Sequence, residues 1–184
     1  DGDTLRWDAT TSTSTGGMIE TGALDPYRIE IYKDNALVKT LSANENAYHN
    51  FANFIAEPGF GTGAYTFKVT SIVDGAFTNH YTDSATSAMG PALRVPMVTA
   101  TAGTGIKSVT PSAGMPLVPG ADYPMEISAE LKDGYVFDGW TGEGLIFDDP
   151  TSLSTTVKVA AGYSGELDAS ATAVAHDNNA PVVS

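Results

Sequence analysis

The chain has no cysteine among its 184 residues. Disulfide scaffolds, thiol nucleophiles and Cys-ligated zinc are therefore excluded in one step, whereas export is not, because bacterial exported domains of ordinary size hold together without bridges. Basic residues are scarce, with 9 Lys and Arg against 22 Asp and Glu and a net charge of −13. Nucleic acid and anionic membrane both need a basic face to displace counterions or meet headgroups, so neither is expected as a partner. The acidity is even: residues 1–90 carry 11 acidic against 5 basic side chains, and residues 91–184 carry 11 against 4. Such a spread fits a well-solvated surface better than a ligand patch. Also missing are apolar runs long enough to span a bilayer, a charged-then-apolar leader at Asp1, and long helical periodicities. Because Asp1-Gly2-Asp3-Thr4 leads almost directly into a strand, the chain is expected to be an excised or processed piece of something longer.

What is present points to strands. The sequence carries 19 Gly and 10 Pro, and with many Ser and Thr these separate short apolar runs. The clearest run is Gly63 to Val73, in which Tyr65, Phe67, Val69 and Val73 fall on one side and Thr66, Lys68 and Thr70 on the other. This period of two marks a half-buried strand, the spine of a β-sandwich. Leu5 and Trp7 alternate with Arg6 and Asp8 before a Ser/Thr/Gly loop from Thr10 to Gly17. Tyr27 to Tyr32 alternates again, Asp34-Asn35 supplies a hairpin turn, and Ala36 to Leu41 returns. Further strands are expected at Ala47 to Phe51 and, after an Asp74-Gly75 turn, at Phe77 to Ser84, while Glu57 to Gly63 is the turn that feeds the spine.

Past an interruption at Met89-Gly90-Pro91, Leu93 to Thr101 opens a second module. Gly103-Thr104-Gly105 turns the chain into Ile106 to Val109. Pro111 to Pro124 reads as a stiffened loop, neither helix nor central strand. Glu126 to Leu131 leads through Lys132-Asp133-Gly134 into the aromatic strand Tyr135 to Trp140, with Thr155 to Val159 and Glu166 to Val174 completing a small sheet. Gly139 removes a side chain where Trp140 must fold over, and two rings on one short strand supply about 150–250 Å² of buried area each.

Leu5-Arg6-Trp7, Tyr27 to Asp34, Pro58-Gly59 through Tyr65 to Val69, and Tyr81 to Ser84 together resemble a fibronectin type III-like module of the kind found in surface proteins of Gram-positive bacteria. The resemblance implies a buried tryptophan, here Trp7. It also implies a tyrosine at the entry to the penultimate strand, here Tyr65, whose hydroxyl bonds back to the preceding loop. No Arg-Gly-Asp tripeptide occurs, so integrin binding is not implied. In the second half, Asp133-Gly134-Tyr135-Val136-Phe137-Asp138-Gly139-Trp140 is similar to the core motif of the divergent internalin B-repeat family, supported by Ala129-Glu130-Leu131 and by the small residues Ala169, Ala171 and Ala173. That resemblance implies a compact β-grasp-like sheet serving as a spacer or weak adhesive unit, with the insert Gly142 to Ser154 departing from the shortest repeats.

Chemistry is sparse. His49, His80 and His176 lie far apart in sequence without a second ligand at short spacing, so no metal site is assigned. Asp1-Gly2-Asp3, Asp148-Asp149 and Asp177-Asn178-Asn179 lack the alternating carboxylates and glycine of a calcium loop and read as turns or caps. No catalytic or cofactor-binding residue and no cofactor is assigned, since nucleophile elbow, phosphate loop and triad patterns are all missing. The candidate ligand contacts are Tyr123, Tyr135, Trp140 and Tyr163, whose rings would stack on a sugar if they face solvent; Phe137 and Trp140 are expected in the core, and Tyr163 to be the most exposed.

The sequence thus predicts an all-β chain: an immunoglobulin-like, fibronectin type III-like sandwich over 1–90, a small β-grasp-like or open sheet over 91–176, and a linker from 177 to 184 into a following repeat. The expected role is that of a non-catalytic, monomeric spacer and adhesive module in a secreted or wall-attached bacterial protein, with an extracellular protein or glycan as partner. The alternative is an accessory carbohydrate-binding module of a larger extracellular enzyme. Contacts are expected at the loops Thr10 to Gly17, Ala56 to Gly63 and Pro111 to Pro124.

Overall fold

The computed structural model describes residues 5–8, 16–19, 24–43, 47–48, 55, 57, 59–73, 76, 78, 83, 86–87 and 92–178. Most of the Thr10 to Gly17 loop, the Asp74-Gly75 turn, His49, His80, most of the strands expected at Ala47 to Phe51 and Phe77 to Ser84, the Met89-Gly90-Pro91 boundary and the linker from 179 onward lie outside these residues. Among these residues the chain is mainly strand, with almost no helix. It divides into two compact units, one formed by Thr4–Phe51 with Ala64–Leu93, the other by Arg94–Ser184 together with Ala52–Gly63.

In the N-terminal unit, β1 (Leu5–Arg6) pairs antiparallel with β4 (Ala47–Tyr48). Its main sheet has β2 (Leu24–Lys33) between β3 (Ala36–Ala43) and β5 (Gly63–Val73), and β6 (Leu93–Val95) is the strand in which the chain passes into the other unit. The β2–β3 hairpin closes on Asp34 and Asn35, at φ of 49° and 69°. Positive φ at both central residues gives the tight turn whose twist matches the flanking strands. The Asp34 amide donates to the Ala64 carbonyl at 2.8 Å, and its carboxylate accepts from the Ala64 amide at 3.0 Å, so the turn is tied to the start of the spine.

Register puts Tyr27, Ile29 and Ile31 beside Ser71, Val69 and Phe67 on one face of this sheet. Ile29, Ile31 and Tyr65 are fully buried. The other face is polar: Tyr32 donates to Glu30 at 3.0 Å, and Lys68 lies 5.1 Å from the Tyr32 ring centre. Two expectations need correction here. Phe67 and Val69 are only half-buried, whereas Thr70, expected outside, is 2% exposed. The cause is the chain near Ser87, which runs along β5: Val69 and Ser87 exchange two hydrogen bonds of 2.9 Å, and the hydroxyl of Thr86 meets that of Thr70 at 2.9 Å. Trp7, expected to be buried, is half-buried, with its ring edge-on to Tyr27 at 5.4 Å.

The strands of the C-terminal unit, expected in one small sheet, divide between two four-stranded sheets. One has the order β11 (Tyr135–Thr141), β14 (Asp168–Asp177), β7 (Met97–Ala102), β9 (Met115–Pro116). The other has the order β12 (Leu145–Phe147), β13 (Ser154–Val159), β10 (Met125–Leu131), β8 (Ile106–Thr110). The turns at Gly103 to Gly105 and Lys132 to Gly134 are therefore not hairpins. Each carries the chain from one sheet to the other, since β8 pairs with β10 and β11 with β14. β14 and β7 are parallel, from Asp168↔Met97 to Ala173↔Ala102. Inward residues of both sheets make one core of Val98, Ala100, Ile106, Leu117, Met125, Ile127, Trp140, Val157, Val159, Ala169, Ala171 and Ala173. β12 lies inside the Gly142 to Ser154 insert, and β9 lies within the proline-rich segment, where a two-residue edge strand is compatible with proline.

Trp140 is 3% exposed because of a bulge. The β11–β14 register shifts between Phe137 and Gly139, which turns the indole inward. Gly139 sits at φ 145°, and an added Cβ would stand 3.0 Å from the Pro150 carbonyl oxygen. The backbone of Pro150 thus crowds Gly139. The Trp140 amide donates to that same carbonyl at 2.8 Å, and the indole Nε1–H donates to Ser152 at 3.0 Å. Asp149 shapes this clasp: its carboxylate accepts from the Thr151 amide (2.9 Å) and hydroxyl (2.7 Å), which hold it below the usual carboxylate range. This is the turn role expected of Asp148-Asp149.

Two measurements follow. Gly139→Ala forces a side chain into a left-handed conformation against a fixed carbonyl and should cost about 1–3 kcal/mol, and Trp140→Ala about 3–5 kcal/mol. Urea unfolding checks both, and a neutral result at Gly139 would contradict the clasp. In the N-terminal unit, burial and then the negative charge of Asp34 push the Tyr65 hydroxyl up to about 12. An unfolded tyrosine titrates near 10, so the native state keeps its proton longer. The resulting stability, about 2–3 kcal/mol, is complete below that unfolded value and is lost as pH rises through the folded one. Tyr65→Phe should flatten unfolding midpoints across this alkaline window; parallel profiles for the two proteins would contradict the assignment.

Candidate functional site

The C-terminal unit carries a groove of about 320 Å³ lined by Ile55, Glu57, Phe60, Gly61, Met115, Pro116, Val118 and Tyr123. One wall is a short segment from the first third of the chain. The Gly61 amide donates to the Ile55 carbonyl at 3.0 Å and the Phe60 amide to Glu57 at 3.2 Å. Gly59 and Gly61 take φ of 95° and 81°, which lets so few residues reverse direction. Ile55 is buried as the anchor, Phe60 is half-buried, and Glu57 is exposed at the rim.

The opposite wall is the proline-rich segment. It acts as a strap across the edge of the sandwich, because the Leu117 amide donates to Pro96 at 3.1 Å and the Gly120 amide to Val159 at 2.9 Å. Those acceptors border different sheets, so the strap ties the sheets together. Leu117, Val118 and Ala121 are buried beneath it, while Tyr123 stands 56% exposed. Beside Tyr123, the Lys158 ammonium bonds to the Asp122 carboxylate at 2.5 Å. That hydrogen bond, then the Lys158 charge, holds the Asp122 carboxyl below its usual range.

Two of the three loops expected to make contacts, Ala56 to Gly63 and Pro111 to Pro124, therefore meet in one groove. The four aromatic candidates do not share a platform. Trp140 belongs to the core. Tyr135, half-buried, covers Gly105, where an added Cβ would stand 2.1 Å from the ring. Tyr163, expected to be the most exposed, is half-buried against Gly144 and Gly165, and its hydroxyl donates to the Glu166 carbonyl at 2.7 Å. Burial, then the charge of Glu143, raises its pKa. Tyr123 is the open ring of the four. Ile55 lies outside the loops expected to make contacts, and Phe60, Met115, Pro116 and Val118 were expected only as parts of them, because strap and loop are more than fifty residues apart and no local pattern announces their meeting.

The groove can hold an apolar surface against Phe60, Pro116 and Tyr123 and offer the Glu57 carboxylate to a donor. Among the described residues no three His, Asp or Glu side chains gather as metal ligands, and no helix is long and apolar enough to cross a membrane. His176 meets Asp138 at 2.5 Å, a contact between exposed side chains. If the groove is a surface feature set on a firm anchor, Tyr123→Ala should change stability by less than about 0.5 kcal/mol. Ile55→Ala should cost about 2–5 kcal/mol. Thermal unfolding separates the two, and a large loss at Tyr123 would show it to be a packing residue instead. Compared with family models, with curated proteins and with solved structures, the chain matches none.

Proposed function

We propose that the protein is a non-catalytic modular piece of a secreted or cell-wall-attached bacterial surface protein, acting as spacer and adhesive module. In this reading a fibronectin type III-like module precedes an internalin B-repeat-like one, and the chain works as a monomer with an extracellular protein or glycan as partner. The observation that carries it is where the large side chains go: Trp140, Ile127, Val157 and Tyr65 are spent on two compact all-β interiors. Such interiors make each unit a firm body and leave recognition to loops.

The groove favours a second reading, an accessory carbohydrate-binding module, since Tyr123 and Phe60 beside Glu57 combine ring faces with a hydroxyl acceptor. The two readings separate on an immobilised glycan array probed with the parent chain and with Tyr123→Ala. The spacer reading gives Tyr123 no binding role and predicts equal signals from the two proteins on every glycan. Retention of the parent that disappears in Tyr123→Ala would replace it with the carbohydrate reading.

A further inference from the structure

We propose that the C-terminal unit is a tension-bearing clamp, built so that a pull along the chain loads the hydrogen bonds between its first and last long strands in shear. β7 is the strand by which the chain enters the central pair of this unit, and β14 is the strand by which it leaves. They lie side by side and parallel, in register over six residue pairs, from Met97↔Asp168 to Ala102↔Ala173. In a parallel pair both strands start at the same end. Tension arriving before Met97 and leaving after Asp177 therefore drags the two strands in opposite directions along their length, and every rung of the ladder resists together.

The ladder continues past its register. The Met97 amide donates to Leu167 at 2.7 Å and the Gly103 amide to Ala173 at 3.0 Å, while Arg94 Nε donates to Gly165 at 2.8 Å before the first rung. The hydroxyls of Thr101 and Thr172 meet across the pair at 2.9 Å. Each strand is held from its far side as well, β14 by β11 from Tyr135↔Asp177 to Thr141↔Thr172 and β7 by β9 at Met97↔Pro116. Sliding is further opposed by packing. Val98, Ala100, Ala169, Ala171 and Ala173 face the core, so a shift of one residue would exchange them for Thr99, Ser170 and Thr172. Resistance thus sits at the rungs and in the core behind them.

The clamp deepens the spacer reading and rests on it for its use, because only a spacer held at both ends meets such a load. The two fail separately: glycan retention that depends on Tyr123 would remove the spacer reading and leave the clamp, while a weak ladder would do the reverse.

The absence of native cysteine allows handles to be placed anywhere on the whole chain. Ala92→Cys with Asn178→Cys pulls the ladder in shear, and Ala92→Cys with Glu166→Cys peels it from one end; all three positions are exposed. The first handle is common to both, so whatever yields before Met97 is the same in each. Equal thermal midpoints for the two double variants show that neither has damaged the fold. Optical-trap unfolding should require a several-fold higher force for the 92/178 pair than for the 92/166 pair. Unfolding of 92/178 at the same or a lower force overturns the clamp.

Discussion

The C-terminal unit depends on the indole of Trp140 and the loop that closes over it. Burying a ring of that size removes about 150–250 Å² from water, equivalent to about 4–6 kcal/mol before the cost of ordering it. A buried indole also carries an N–H that must find an acceptor. The chain meets both demands with one loop, whose Pro150 and Ser152 carbonyls take the backbone and ring N–H groups of Trp140. The bulge at Asp138-Gly139 aims the ring, the Asp149 turn shapes the loop, and the alanines of β14 line the same core. Exposed pairs such as Lys107 with Glu130 add little by comparison, since solvent screens them.

From that core the rest of the unit follows. Two sheets facing each other leave open edges, and the proline-rich strap closes one of them by bonding toward both sheets. Proline suits the task because an edge segment needs few amides. Where the strap meets the loop of Ile55 to Gly61, neither can collapse completely, and the groove is the space left between them. It is thus a by-product of edge closure that a ligand could use, rather than a cleft with converging chemistry.

Much of the local structure was legible. The spine at Gly63–Val73, the Asp34-Asn35 hairpin and the burial of Trp140 all follow from alternation, turn chemistry and ring size, which act within a few residues. What could not be read depends on partners distant in sequence. Gly103-Thr104-Gly105 and Lys132-Asp133-Gly134 announce a reversal of direction but not which strand will be the neighbour, so crossings between sheets look like hairpins in the sequence. The parallel pairing of β7 with β14 joins residues about seventy apart and has no local signature. Thr70 looks like a surface residue until a segment near Ser87 covers it. The groove was half legible: its two loops stood out by composition, but their meeting did not.

These features describe a protein whose large side chains build firm interiors and whose loops are left for contact, the pattern from which the spacer reading is drawn. Its central physical claim is that the C-terminal unit unfolds as one body around Trp140 and the β7–β14 pair. Native-state hydrogen exchange tests this most directly. The amides of Trp140, Met97 and Gly103 should exchange at one common, slowest rate set by global unfolding, far below that of the turn at Lys132 to Gly134. A Trp140 amide that exchanges as fast as that turn, or separately from the β7–β14 ladder, would contradict it.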